Sequence, residues 1–154
     1  LTGTIMPRIW ARDPAMPCLI AGGDWPEAIR EAVDPRVSFL GRIPDLGALW
    51  PRVAVTVAPL RFGAGVKGKV LDSLAAGIPC VMSAIAAEGI ALEGALMMLL
   101  ADDPETFADR VLALHGDADM WRDAAEAGLA LIRRDFGEAV VTDALGRAIG
   151  GGRG

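Results

Sequence analysis

The stretch APLRFGAGVKGKVLDSLAAGIPCVMS, residues 58–83, decides the fold of this chain because it encodes a strand end, a glycine-rich loop, a helix and a second strand. Residues 66–76 have helical periodicity and are followed by Gly77 and Pro79, which commonly end helices. Residues 80–82 are apolar and read as the next strand. A strand, a helix and a strand in this order predict a parallel sheet with the glycine-rich loop at the amino end of the helix.

Apolar strands alternate with helices on both sides of this stretch. Further strands are predicted at residues 18–21, 37–40, 54–60 and 96–100, which gives five strands together with residues 80–82. Helices are predicted at residues 2–12, 26–33, 45–50, 104–114, 118–134 and 138–149, and Asp45 is expected to cap the third of them. This alternation predicts an α/β fold, a Rossmann-like parallel sheet with helices on both faces.

The composition is typical of one globular domain. Of 154 residues, 53% are hydrophobic and 23% are charged, which is enough apolar material for a well-filled core. No apolar run reaches the roughly 18 residues that a membrane-spanning helix needs, so we expect no transmembrane segment. A cytoplasmic protein, either free or at the inner face of a membrane, is the corresponding expectation. The net charge of −5 and the lack of a basic cluster with interleaved aromatics argue against a nucleic-acid partner.

The two cysteines and the single histidine do not indicate a metal site. Cys18 and Cys80 each follow a proline and open an apolar run, so we expect small buried side chains in strands of a protein from a reducing compartment. His115 lies near the end of a predicted helix, where a cation suits the helix dipole. Because the paired-cysteine spacing of zinc sites is missing, no metal is expected.

The glycine-rich loop fits three interpretations, and the first is the dinucleotide fingerprint GxGxxG. Gly63, Gly65 and Gly68 have its spacing, and glycines there would let the backbone approach a pyrophosphate. The fingerprint normally turns tightly off the first strand of its domain, whereas Arg61 and Phe62 intervene here and at least two strands precede the loop. NAD binding is therefore the less favoured alternative.

The second interpretation is a P-loop, and the third is a tight turn without a ligand. Residues 63–69 fit GxxxxGK, but the next residue is Val70, whose aliphatic side chain cannot coordinate the magnesium ion of a nucleotide hydrolase. Arg61, Lys67 and Lys69 would repel one another beside a helix amino terminus if no anion were bound. Their crowding favours a phosphate-bearing ligand over a turn alone.

Together these segments resemble the carboxy-terminal, donor-binding domain of GT-B glycosyltransferases of the family 4 and family 1 kind. The resemblance extends over about residues 2–149 and is carried, in order, by PRIWARDPAMPCLIAGG, VSFLGRIPDLGALW, VTVAPLRFGAGVKGKVLDSLAAGIPCVMS, AAEGI and ADDPETFADRVLAL. It implies transfer of a sugar, with retention of configuration, from a nucleoside diphosphate sugar such as a UDP-sugar to an acceptor hydroxyl. It also implies a hexosyltransferase of glycan biosynthesis that requires no metal and no other cofactor.

The resemblance implies which residues bind the nucleotide sugar. These are Gly41, Arg42, Ile43, Gly63, Ala64, Gly65, Val66, Lys69 and Asp72. The turn at residues 41–43 would present backbone groups to the base, and Asp72, in LDSLA, stands where the family has a glutamate for the ribose hydroxyls. The amides of Gly65 and Val66 would meet the pyrophosphate at the start of the helix, where Lys69 adds a positive charge.

Lys69, Arg61 and Glu88 are the catalytic residues that the resemblance implies. Lys69 would stabilise the leaving diphosphate, and Arg61 would reach its distal phosphate or the sugar. Ala64 stands where most family members have a second glutamate that contacts the transferred sugar, so Glu88, in AAEGI, is the candidate for that role. Lys67 is expected to point elsewhere on the helix, into solvent.

The resemblance further implies that parts of a complete enzyme are missing. The acceptor site would belong to an amino-terminal domain, and a central first strand would lie between the strands that contain Leu19 and Val57. The gap would close by rearrangement, be filled by another chain, or reflect a longer polypeptide, and a continuous sheet would contradict this expectation. Residues 1–149 would then be a partial donor-binding domain, followed by a flexible tail at residues 150–154.

Two further questions stay open beside the donor-binding interpretation: whether the chain self-associates, and whether it is catalytic. The predicted last helix carries an apolar stripe that would allow either self-association or packing on the domain's own core; it comprises Phe136, Val140, Val141, Leu145 and Ile149. A non-catalytic nucleotide-binding or regulatory module would also need the phosphate contacts and no acceptor machinery. The acceptor itself is not identified by the sequence.

Overall fold

Short parallel strands and longer helices alternate along the chain, as seen in a computed structural model that describes residues 1–137, 140 and 142. The strands are β1 (Cys18–Ala21), β2 (Val37–Gly41), β3 (Thr56–Ala58) and β4 (Cys80–Met82). The α-helices are α1 (Ile5–Trp10), α2 (Glu27–Glu31), α3 (Gly68–Ala75), α4 (Pro104–Gly116) and α5 (Ala118–Asp135). Turns of 3-10 helix occupy Leu46–Ala48, Trp50–Arg52 and Gly94–Leu99. This alternation confirms the predicted α/β, Rossmann-like class.

Local capping sets several element boundaries. The carboxylates of Asp103 and Asp117 accept hydrogen bonds from amides in the first turns of α4 and α5. Asp45 caps its 3-10 turn in the same way, which confirms the predicted role. Gly77 follows α3 with a φ of +73°, a conformation that glycine adopts without strain, and the predicted end of that helix is confirmed.

The end of the chain carries predictions that lie outside the described residues. These are the helix at residues 138–149, apart from positions 140 and 142, and the tail at residues 150–154. Val141, Leu145 and Ile149 of the apolar stripe lie there as well.

The sheet is interrupted between β1 and β3. Within the described residues, β1 pairs in parallel with β2 and β3 with β4, as two separate two-stranded sheets. The amides of Cys18 and Thr56 donate toward β2 and β4, so the backbone groups of the next residues, Leu19 and Val57, face the opposite sides. The predicted interruption between the strands of Leu19 and Val57 is therefore present in this structure.

The strand predicted at residues 96–100 is wrong. Gly94–Leu99 is a 3-10 helix, and in the described part of the chain this segment contributes one parallel bridge, between Leu100 and Met82. Leu96 and Leu99 are both buried, at 3% and 0% exposure. A spacing of three residues puts them on one side of a 3-10 turn but on opposite faces of a strand, so burial of both leucines favours the turn.

A buried polar contact fixes α3 to the sheet. Ser73 is 0% exposed, and its Oγ donates to the carbonyl oxygen of Ile78 at 2.9 Å and lies 2.6 Å from Oγ1 of Thr56. The apolar side chains beside it on α3 are buried, and α5 packs against the same helix. Because α3 carries Lys69 and Asp72, these contacts set the position of two predicted binding residues.

Replacing Ser73 by alanine should lower the free energy of unfolding by about 1.5 kcal/mol, because a buried carbonyl and a hydroxyl lose their partner. Chemical denaturation measures this change. Ser38→Ala is the matched control, since Ser38 is exposed on β2 and should cost much less. Equal losses in the two variants would show that the Ser73 contact does not stabilise the fold.

The backbone edges that face the gap should be visible by amide hydrogen exchange. The amide of Val57 should exchange about tenfold faster than that of Thr56, because Thr56 donates to the carbonyl of Pro79 at 3.0 Å and Val57 faces away. Leu19 should likewise exchange faster than Cys18. Equal protection at neighbouring positions would mean that both edges are paired in solution.

Candidate functional site

A cavity of about 540 Å³ lies between β1 and β3. Its walls are mostly apolar and come from α1, α4, both strand edges and the segment at residues 46–55. Arg42 and Ile43 line it from the turn after β2, and Lys69 lines it from the first turn of α3. The structure thus brings together, at one cavity, residues from the segments predicted to bind the base and the diphosphate.

The turn after β2 is held in place by its backbone. Gly41 has a φ of +65°, and its carbonyl oxygen accepts a hydrogen bond of 2.7 Å from the amide of Gly22. Gly22, which follows β1, also lines the cavity and has a φ of +97°. Glycine at both positions permits these left-handed conformations, so the turn that carries Arg42 and Ile43 is fixed against the end of β1.

The amino end of α3 lies later in the sequence than predicted. The helix begins at Gly68, with Lys67 as an extended N-cap residue whose carbonyl accepts from the amides of Val70 and Leu71. Gly63 and Gly65, with φ values of +128° and +73°, keep the preceding loop out of helical geometry. The amides of Gly65 and Val66 therefore precede the helix, which corrects their predicted place at its amino end.

Lys67 is folded over the glycine loop, and the prediction that it points into solvent is wrong. Its side chain is 10% exposed, and its ammonium group donates to the carbonyl oxygen of Gly65. The side-chain Cε lies 3.4 Å from the position that a Cβ would take at Gly63. The helical-spacing argument failed because Lys67 is a cap residue rather than a helical one, a boundary that the flanking glycines indicate.

Glu88 belongs to this loop rather than to the wall of the cavity. Its Oε2 accepts a hydrogen bond of 3.1 Å from the amide of Gly65 and lies 3.7 Å from Nζ of Lys67. The next residue, Gly89, has a φ of +79°, and a Cβ there would stand only 2.7 Å from Cγ2 of Val66. Gly65, Val66, Lys67, Glu88 and Gly89 are called the glycine-loop cluster below; sequence reasoning missed the roles of Lys67 and Gly89.

Ser83 holds the two halves of the glycine-loop cluster near each other. Its Oγ donates to the carbonyl oxygen of Leu60 at 2.7 Å and accepts from the amide of Ala86 at 3.2 Å. Leu60 leads into the loop from β3, and Ala86 leads to Glu88 from β4. Ser83 is 8% exposed, so these bonds are largely shielded from water.

Asp72, Arg61 and Ala64 are exposed to solvent, and none of the three lines the cavity. Asp72 follows Lys69 by three residues on α3, so both side chains leave the same side of the helix. Arg61 stands at the start of the glycine loop beside Phe62, which is 85% exposed. Neither charge is buried, and both are accessible to a ligand.

The two cysteines are buried in strands, as predicted. Burial raises the pKa of the Cys80 thiol to about 11, although Thr56 and the positive charge of Lys69 act in the opposite direction. Burial also raises the pKa of Cys18. Both thiols are therefore protonated and unreactive near neutral pH. His115 lies in the last turn of α4, with Nδ1 4.0 Å from a carboxylate oxygen of Asp13.

The fold shows that the chain is a Rossmann-like α/β domain, and comparison with known families identifies its class of protein more specifically. Residues 1–117 of the 154 match the family Glycosyl transferases group 1, so the chain belongs to that family of glycosyltransferases. Such enzymes transfer the sugar of a nucleotide-sugar donor to an acceptor and release the nucleotide. A search among curated proteins gave no match. Helices long and apolar enough to cross a membrane were not found in the described residues.

Proposed function

We propose that this chain is the carboxy-terminal, donor-binding half of a GT-B glycosyltransferase of the family 4 or family 1 type. It would bind a nucleoside diphosphate hexose, such as a UDP-sugar, whose sugar passes with retention to an acceptor hydroxyl in glycan biosynthesis. The observation that carries the proposal is the meeting of Arg42, Ile43 and Lys69 at one cavity. Membership of the glycosyltransferase family supports the proposal and favours glycosyl transfer over NAD binding.

The base would lie at the turn of residues 41–43. Backbone groups held by the bond between Gly41 and Gly22 would contact the base, so the turn would position it without a specific side chain. Ligands of such sheets bind beyond the carboxyl ends of the strands, where this turn lies, and the space between β1 and β3 is where the resemblance puts a further strand. The base would therefore lie beside Arg42 and Ile43 at that end of the cavity.

The diphosphate would lie at the start of α3. Negative charge grows on the leaving diphosphate as the glycosidic bond breaks, and the Lys69 ammonium with the first-turn amides of α3 would stabilise it. Asp72, on the same side of the helix, would accept hydrogen bonds from the ribose hydroxyls. Arg61, exposed at the loop, would reach the distal phosphate or the sugar.

Turnover would require groups beyond those of a donor-binding half. We propose that an amino-terminal domain supplies the acceptor site, that residues 1–149 form the donor-binding unit in the cytoplasm, and that no metal takes part. The isolated chain would then bind the donor without transferring its sugar. Calorimetric titration of the chain with UDP, GDP, ADP and NAD tests the binding step directly.

Lys69→Gln should weaken binding of the preferred nucleoside diphosphate about tenfold, because a charge-assisted contact to phosphate is lost. Arg122→Gln is the matched control: it removes one positive charge from an exposed position on α5 and should leave the affinity unchanged. Calorimetric titration measures the nucleotide affinity of both variants. Tighter binding of NAD than of any nucleoside diphosphate, or indifference to Lys69→Gln, would reject the proposal.

Asp72→Asn should weaken UDP binding but not the binding of inorganic pyrophosphate, because only UDP carries ribose hydroxyls and the lost negative charge near Lys69 can only favour an anion. We expect a loss of about fivefold, since a carboxylate accepts these bonds more strongly than an amide. The affinity should be the same with and without EDTA. Equal losses for UDP and pyrophosphate would remove Asp72 from the ribose site, and loss of binding in EDTA would show that a metal is needed.

A further inference from the structure

A single carboxylate oxygen occupies the point where an amide and an ammonium group converge in the glycine-loop cluster. Oε2 of Glu88 accepts from the amide of Gly65 at 3.1 Å and lies 3.7 Å from Nζ of Lys67. An N–H donor and a full positive charge directed at one oxygen are the groups that bind phosphate oxygens in proteins. Glu88 therefore stands where an oxygen of an anionic ligand would be bound.

The two donors are held by the loop itself. The stem of Lys67 lies along Gly63, and its ammonium group donates to the carbonyl oxygen of Gly65, so its position does not depend on Glu88. An ammonium group has three protons, which leaves others for an anion. The Lys67 side chain is 10% exposed because its stem packs along the loop.

The carboxylate is held less firmly than the donors. The Glu88 side chain is 55% exposed and reaches the loop from the turn after β4. Solvent-exposed ion pairs contribute little to stability, so this one can open at small cost. The turn itself is fixed by Ser83 and by the contact of Val66 with Gly89, so Glu88 can leave the loop by side-chain rotation alone.

We infer that the Gly65 amide and the Lys67 ammonium form an anion subsite of their own, and that Glu88 is an internal placeholder displaced by a phosphate of the donor. This rests on the proposed function, which supplies the diphosphate. Lys67 would act in addition to Lys69, which lines the cavity. Glu88 would then regulate donor binding by competition, neutralising the loop when it is empty and withdrawing when phosphate enters.

Titration of the 154-residue chain with inorganic pyrophosphate at fixed ionic strength tests this inference, with amide chemical shifts as the readout. Glu88→Gln keeps an oxygen for the Gly65 amide but loses the charge, so it should bind pyrophosphate about fivefold more tightly. Glu126→Gln is the matched control on the exposed side of α5 and should bind as the unaltered chain does. The Gly65 amide resonance should shift on binding in all three proteins.

Two variants of Lys67 complete the test. Lys67→Gln should weaken pyrophosphate binding about fivefold or more, and Lys67→Arg should retain most of it, because the charge rather than the exact side chain is required. The amide spectrum of each variant shows directly whether it folds. If Lys67→Gln does not fold, Lys67→Arg still tests the inference. Retained pyrophosphate binding shows that a positive charge at this position is enough, and lost binding in a folded Lys67→Arg protein contradicts the inference.

Unchanged or weaker binding by Glu88→Gln, or indifference to Lys67→Gln in a folded protein, would overturn the inference. If UDP binding still depends on Lys69 in that case, the proposed function stands without the subsite. If neither UDP nor pyrophosphate binds to the unaltered chain or to Glu88→Gln, the inference and the proposed function fail together. Tighter binding by Glu88→Gln with a shifted Gly65 amide supports both.

Discussion

The hydrogen bonds of Ser73 hold α3 against the sheet, and the candidate site depends on that attachment. Ser73 joins the helix to Thr56 of β3 and to Ile78 just before β4, the two strands that the helix connects. A hydroxyl at a fully buried position must find partners, so this geometry admits little movement of α3. The helix therefore carries Lys69 to one fixed place at the cavity wall.

Two lysines separated by one glycine have different environments because the helix starts between them. Lys67 is an extended cap residue that folds back over the loop, whereas Lys69 is in the first turn and exposed. Repulsion between the charges is reduced in the free protein by Glu88, which neutralises Lys67. The loop thus separates a cation paired within the protein from one available at the cavity.

The interruption of the sheet gives the cavity its position. Unpaired edges are costly when buried, and here those of β1 and β3 face a space lined by apolar side chains instead of a neighbouring strand. The resemblance to GT-B glycosyltransferases anticipated the gap between Leu19 and Val57 and grouped Arg42 with Lys69 at one binding site. Chain order by itself indicates neither, because both depend on how the two sheets lie about the gap.

Local signals in the sequence were enough for elements stabilised by neighbours in the chain. Asp103, Asp117 and Gly77 set helix ends, and residues 80–82 form a strand, because capping, turn conformation and short apolar runs act within a few residues. Only the tertiary structure decided the burial of Lys67 and its pairing with Glu88. It also decided that Gly94–Leu99 is a 3-10 helix, where the sequence predicts a strand at residues 96–100. These outcomes depend on groups distant in sequence, whose contacts no local propensity encodes.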